Sequence, residues 1–226
     1  NALLRRTISY HDYREDFYHA FLAGIFTGAG YMVDSNKEHG EGRSDVVVYD
    51  SINARVAVFE AKYTKNLEKL ESEITDRTVL ISIMYANNEI GTIEPIKEIA
   101  QIAHSHGIIF HTDAVQAIGN VRIDVKKMGI DMLSMSGHKL YAPKGIGALY
   151  VKSGIEFERF MDGGHQEKNK RGGTENVPGI IGLGKACELA NINLANHMKH
   201  LQELRDYYIQ QVEEKIPYVY LNGSRE

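Results

Sequence analysis

The sequence predicts an α/β fold: a parallel or mixed sheet with flanking helices over residues 67–226, preceded over residues 1–66 by a small α+β segment, a helix plus a hairpin. Three patterns predict it. Short apolar runs bounded by polar turns recur at Val79–Met84, Ile108–Thr112, Asp131–Met135 and Ile146–Val151, each the length of a buried strand. Between the first two, apolar residues return at helical spacing, and a long helical stretch fills about Val177–Lys215. Helix and strand therefore alternate, which calls for parallel strands whose carboxyl ends gather polar groups.

Taken in order, Tyr10–Ala29 carries an apolar helical face of Tyr10, Tyr13, Phe17, Phe21 and Ile25. Gly40–Tyr49 reads as a turn into a strand, and the turn Asp50–Asn53 leads to a second strand, Arg55–Lys62. Asn66–Glu71 suits a helix, and no proline-, glycine- or serine-rich linker marks the join between the two parts. Pro95 starts a helix whose core face is Ile96, Ile99, Ile102 and Ala103, ending at Gly107. Ile108–Thr112 follows, with Asp113 at its tip. In the last helix, Gly179, Gly182 and Gly184 permit close packing, and Leu201, Leu204, Tyr208 and Val212 form a stripe expected to be core or dimer surface.

At 226 residues the chain has room for one large or two small domains, and 43% hydrophobic residues can build a core. The net charge of −4 is evenly spread: residues 1–72 hold 9 basic and 11 acidic side chains, the rest 17 and 19. No basic face stands out to favour nucleic acid. One cysteine excludes an internal disulfide and is consistent with a reducing cytoplasm. No apolar run approaches the ~18–20 residues that span a bilayer, and no signal-peptide core is present, so membrane partners are not expected.

The segment Ser134–Ile146 carries the chemistry. An apolar strand runs into a small polar turn that presents Lys139, with Pro143 and Gly145 fixing the exit. A lysine at a strand end suits a Schiff base, an apolar wall would desolvate its amine, and Ser136 and His138 suit a phosphate. Asp113, at the end of another buried strand in Phe110–Gln116, can pair with a protonated pyridine nitrogen. A single such lysine is usually just solvated.

These segments, with Ile74–Met84, Asn87–Thr92, Gly163–Glu167 and Lys170–Asn176 in the same order, resemble the cysteine desulfurases, class V aminotransferase-like enzymes of fold type I that use pyridoxal 5′-phosphate (PLP). The resemblance implies that Lys139 is the internal aldimine lysine and proton shuttle. It implies that Asp113 pairs with the pyridine nitrogen, Gln116 bonds the ring's phenolic oxygen, and Ser136 and His138 hold the phosphate. Asn88 would lie near the ring oxygen and substrate carboxylate, and Thr174 would reach the phosphate of a neighbouring subunit's cofactor. A homodimer with shared sites and an L-cysteine substrate follow from the same resemblance. The family's phosphate-binding turn and ring-stacking histidine do not appear ahead of Leu67, and its nucleophilic cysteine and carboxylate-clamping arginine belong beyond Leu221–Gly223. The expectation is therefore an incomplete segment, weak or inactive in sulfur transfer. Cys187 lies in a helical pattern and reads as a small buried hydrophobe.

The first part has other chemistry. Asp45 at the start of one strand and Glu60-x-Lys62 at the end of its hairpin partner match the arrangement of PD-(D/E)XK nucleases. Glu60 and Lys62 alternate onto one face; Asp45 and Glu60 suit Mg²⁺, and Lys62 suits an attacking water. Leu3–Tyr10, Glu15–His19, Ser35–Glu38 and Gly42–Asp45 resemble a branch of that superfamily in which the domain follows an AAA-type ATPase module. A metal-dependent nuclease acting on nucleic acid is thus the alternative reading, and an inactive fusion of two fragments the third.

Overall fold

The computed structural model describes residues 32–39, 42–50, 55–59 and 67–221, the first three stretches as strand backbone. The chain divides into two compact units, Asn1–Lys65 and Asn66–Glu226. In the first, β1 (Met32–His39), β2 (Gly42–Asp50) and β3 (Arg55–Phe59) form an antiparallel sheet in that order. The hairpin expected around residues 50–54 is therefore present, with Asp50 opposite Arg55 and Val46 opposite Phe59. β1 was not expected as a strand: its Asp34-Ser35-Asn36-Lys37-Glu38 run lacks the β-branched and aromatic residues that signal one. The Tyr10–Ala29 helix expected from the sequence lies outside the described residues.

The second unit opens with α1 (Leu67–Ser72) and then alternates β4 (Leu80–Met84), α2 (Ile96–Ser105), β5 (Ile109–Asp113), α3 (Val125–Met128) and β6 (Met132–Ser136). A 3₁₀ turn, Gly137–Leu140, follows β6; then come β7 (Gly147–Val151) and the long helix α4 (Val177–Lys215). The sheet order is β4-β5-β6-β7. β4, β5 and β6 run parallel, as alternation with helices requires. β7 returns antiparallel to β6, because a short connection leaves no room for a crossover.

Residues of period two build the core. Ile81, Phe110 and Leu133, from three neighbouring strands, are buried on one side of the sheet under Ile96, Ile99, Ala100 and Ala103 of α2. Ala100 takes a core position where Ile102 was expected; Ile102 is half-buried. α2 ends where Gly107 adopts a left-handed φ of 69° and Ile108 N–H donates to the Ala103 carbonyl at 2.8 Å. α3 is capped by the Asp124 side chain, which accepts from the amides of Lys126 (3.2 Å) and Lys127 (3.1 Å).

α4 starts where Asn176 Oδ1 accepts from Gly179 N–H at 3.1 Å. It buries only Gly179, Leu183 and Leu194. The stripe expected as core or dimer surface is not core: Leu201, Leu204 and Tyr208 are exposed. Among the described residues no helix is long and apolar enough to cross a membrane.

Candidate active site

The carboxyl ends of the parallel strands form the site. Asp113 closes β5, paired in register with Met84 of β4 and Ser134 of β6. The ladder continues past the strands: Tyr85 N–H donates to the Asp113 carbonyl at 2.8 Å, and Ala114 N–H to the Ser134 carbonyl at 3.0 Å. Asp113 Oδ1 accepts from Val115 N–H at 2.9 Å, which fixes the half-buried carboxylate at the strand tip. Two residues beyond Ser134 along β6, Ser136 leads into the turn that carries His138 and Lys139. The carboxylate and the lysine turn thus share one end of the sheet.

That turn is tightly specified. Gly137 N–H donates to the Ile146 carbonyl at 2.8 Å and Ala142 N–H to the Gly137 carbonyl at 3.0 Å. A Cβ on Gly137 would lie 2.8 Å from Ile146 Cγ2, so glycine is required there. Tyr141 ends the turn at a left-handed φ of 62°. Ser136 Oγ and His138 Nδ1 lie 2.7 Å apart, which places a hydroxyl and an imidazole side by side. Lys139 is exposed. The expected apolar wall around its amine is not formed: the 3₁₀ turn directs Leu140 inward and Lys139 outward, so the leucine takes the buried place.

On β5, His111 Nδ1 lies 2.7 Å from Ser82 Oγ of β4. Burial holds the His111 pKa below its usual value, opposed in part by the Asp113 charge. Asn88 is exposed within a turn shaped by its neighbour. Asn87 Oδ1 accepts from Glu89 N–H (2.8 Å) and Ile90 N–H (3.0 Å), and Gly91 takes a φ of 70°. Gln116 is half-buried, and its carbonyl accepts from Asn120 Nδ2 at 3.0 Å. Thr174 is exposed just before α4. It follows a left-handed turn at Glu167 (φ 48°), Lys168 (φ 56°) and Asn169 (φ 69°).

The structure therefore places Asp113 and the Ser136–Lys139 turn at the same end of the sheet, while Thr174 and Asn88 occupy exposed loops. Asn87 was missed; its signal is the Asn-x-x-x-Gly spacing of a side-chain-capped turn. Cys187 is half-buried in α4 and its thiol is pushed up by burial. Of Asp45 the strand backbone is described, one residue before the β2–β3 pair Val46–Phe59; Glu60 and Lys62 lie outside the described residues. Among the described residues no group of three or more His, Cys, Asp or Glu side chains is placed to hold a metal ion.

Comparison with known proteins decides the family. The model of the class V aminotransferases matches residues 46–226, beginning inside β2. The chain belongs to the class V aminotransferase family.

Within it, the chain is 55% identical over 161 residues to the cysteine desulfurase IscS of Clostridium botulinum, covering 71% of this chain and 41% of that protein. It is 48% identical over 184 residues to a cysteine desulfurase of Nostoc, covering 81% of this chain and 44% of that protein. The chain thus spans less than half the length of these relatives. Among solved structures, a NifS-like protein superposes with a TM-score of 0.65 at 37% identity, covering 69% of this chain and 45% of that one. The structure described as SspA in complex with cysteine gives 0.53 at 50% identity, covering 54% of this chain and 36% of that one.

Proposed function

We propose that residues 67–226 form the PLP-binding portion of a cysteine desulfurase-type enzyme, with Lys139 as the residue that captures the cofactor. The observation that carries this reading is the placement of Asp113 and the Lys139 turn at the carboxyl ends of neighbouring parallel strands, in a chain of this family.

The residues fit such a group. An anionic, phosphate-bearing pyridine aldehyde needs an amine, phosphate donors and an acid for its ring nitrogen. Lys139, the paired Ser136 and His138, and Asp113 supply that set. Thr112 Oγ1, next to Asp113 on β5, is buried without a hydrogen-bond partner among the described residues. When bound, PLP supplies an aldehyde for the lysine and a ring that accepts electrons from an amino-acid substrate.

Each side chain has a definable task. Asp113, held by Val115 N–H, would accept from a protonated pyridine nitrogen, and Gln116 follows it on the same loop. Ser136 and His138 would hold the phosphate, and the Lys139 amine would bind the aldehyde and carry a proton to or from the substrate. L-Cysteine is the proposed substrate, in keeping with the cysteine-bound neighbour. A homodimer is proposed because Thr174, solvent-exposed in one chain, is suited to reach a second subunit's phosphate. A cytoplasmic setting fits the single half-buried thiol.

The test is capture. Incubation with PLP, borohydride reduction and peptide mapping should place the label on Lys139 in preference to Lys144 and Lys126. Label spread evenly over surface lysines would overturn the reading. The nuclease alternative, resting on Asp45, Glu60 and Lys62 with Mg²⁺, draws no support from the family match, which takes in β2 from Val46 onward.

A further inference from the structure

We infer that Leu140 is a positioning residue for Lys139: seated in the notch that Gly119 leaves beside Ala190, it locks the lysine turn to the loop carrying Asp113 and Gln116. Its meaning for catalysis rests on the cofactor reading above; the packing itself does not.

Lys139 and Leu140 are consecutive in one short turn and face opposite ways, Lys139 exposed and Leu140 only 6% exposed. Gly137 has no side chain and His138 is exposed, so Leu140 is the one buried side chain between residues 137 and 140. Whatever holds Leu140 sets where the adjacent amine starts.

Gly119 provides that hold. It has a left-handed φ of 80°, and a Cβ built on it would overlap Leu140 Cδ2 while lying 3.8 Å from Leu140 Cγ and 3.7 Å from Ala190 Cβ. A side chain at this left-handed position would be strained and would push the leucine's terminal methyl out of its seat. The loop bearing Gly119 is itself fixed at both ends. Ala117 and Ile118 amides donate to the Ala114 carbonyl at 2.9 Å each, next to Asp113. Asn120 donates through Nδ2 to the Gln116 carbonyl, and its Oδ1 lies 3.1 Å from His197 Nε2 of α4. One leucine therefore registers the lysine half of the site against the carboxylate half and against α4.

The seat is open on one side. A cavity of about 110 Å³ lies between Ile118, Val121, Leu140, Cys187 and Leu194. Leu140 has vacant apolar space to move into, so its position depends on the Gly119 wall. Shortening the side chain would join its volume to the cavity and loosen the turn from the Gly119 loop.

The experiment uses the full 226-residue chain in five forms: parent, Leu140→Ala, Leu140→Met, Gly119→Ala and, as a destabilising control in the sheet core, Ile99→Ala. Three quantities are read: the thermal midpoint, hydrogen exchange at the Ala142 amide without cofactor, and the ratio of borohydride-fixed PLP on Lys139 to that on Lys144. Leu140→Ala and Gly119→Ala should raise Ala142 exchange and lower the labelling ratio by about tenfold or more, since small misplacements of a reacting group are costly. Leu140→Met, of similar volume, should stay within about twofold of the parent. Ile99→Ala should lower the midpoint and leave the labelling ratio unchanged. Unchanged Ala142 exchange in Leu140→Ala, or an equal fall in the ratio for Ile99→Ala, would overturn the assignment. A responsive Ala142 amide in a parent that labels its lysines evenly would support the anchor and overturn the cofactor reading instead.

Discussion

Lys152 Nζ lies 2.9 Å from Asp131 Oδ1, joining the residue that follows β7 to the residue that precedes β6 at the sheet end remote from Lys139. The Asp131 side chain is only 7% exposed. Its other oxygen accepts from Phe110 N–H at 3.1 Å and lies 2.7 Å from His104 Nε2 of α2. One acid thereby joins two neighbouring strands, the edge strand and a helix.

Asp131→Ala should therefore cost about 3 kcal/mol, because it leaves a buried amide, the Lys152 ammonium and a His104 ring nitrogen without their partner. Urea denaturation of parent and variant measures this, and a loss under about 0.5 kcal/mol would contradict it. The acid limb follows in sign. Burial pushes the Asp131 carboxyl up, but hydrogen bonds from Lys152, Phe110 and His104 outweigh it and hold the pKa below the usual value. A depressed folded pKa gives stability that is present above the unfolded carboxyl value of about 3.9 and lost as pH falls through the folded one. Asp131→Asn should flatten the fall in stability over that acid range.

His111 predicts a second, separate pH dependence. Burial lowers its pKa in the folded chain, so the unfolded chain binds more protons just below about pH 6.5. Stability should fall as pH drops through that window, and His111→Asn should reduce the fall. Thermal midpoints at pH 5.5 and 7.5 test it; identical slopes in parent and variant would exclude His111 as the source.

Ser136 and His138 should matter for the phosphate and not for the ring. Ser136→Ala and His138→Ala should each weaken PLP binding by about 1 kcal/mol while changing pyridoxal binding far less. Fluorescence titration with both aldehydes separates the two. Equal losses for PLP and pyridoxal would show that the pair acts on something other than phosphate.

Cys187 should not act as a sulfur acceptor. Its thiol is raised by burial and lines an apolar cavity, so little thiolate is available to attack a substrate sulfur. With PLP added, these 226 residues should release no sulfide from cysteine above that from PLP alone. Sulfide production that disappears in Cys187→Ser would refute this.

Much of the second unit is legible because its local signals agree with its packing. Pro95, the isoleucines after it and Gly107 announce α2, and four apolar runs announce β4 to β7. Asp113 is placed by the sequence because it ends β5, where side-chain direction follows from the strand, whereas Lys139 lies in the turn after β6. The Asp131 cluster was invisible, since His104, Phe110 and Lys152 meet it only after α2, β5 and β7 have packed. Solvent exposure of Lys139 was missed for a similar reason: composition gives an apolar strand before the lysine, but turn handedness decides which neighbour enters the core. The α4 stripe is periodic without being buried, because periodicity states which residues share a face and says nothing of what covers them.

The antiparallel return of β7 sets an order of assembly. Gly137 and Ile146, hydrogen-bonded at the base of the lysine loop, are nine positions apart in the chain, so that closure needs no distant partner. Hairpins of this kind form in roughly 1–10 μs. Asp113 reaches Ser134 only after an intervening crossover has been threaded, which costs more loop entropy and arrives later. A full chain refolding from the unfolded state would thus shape the amine-bearing bend first and deliver the carboxylate to it afterwards.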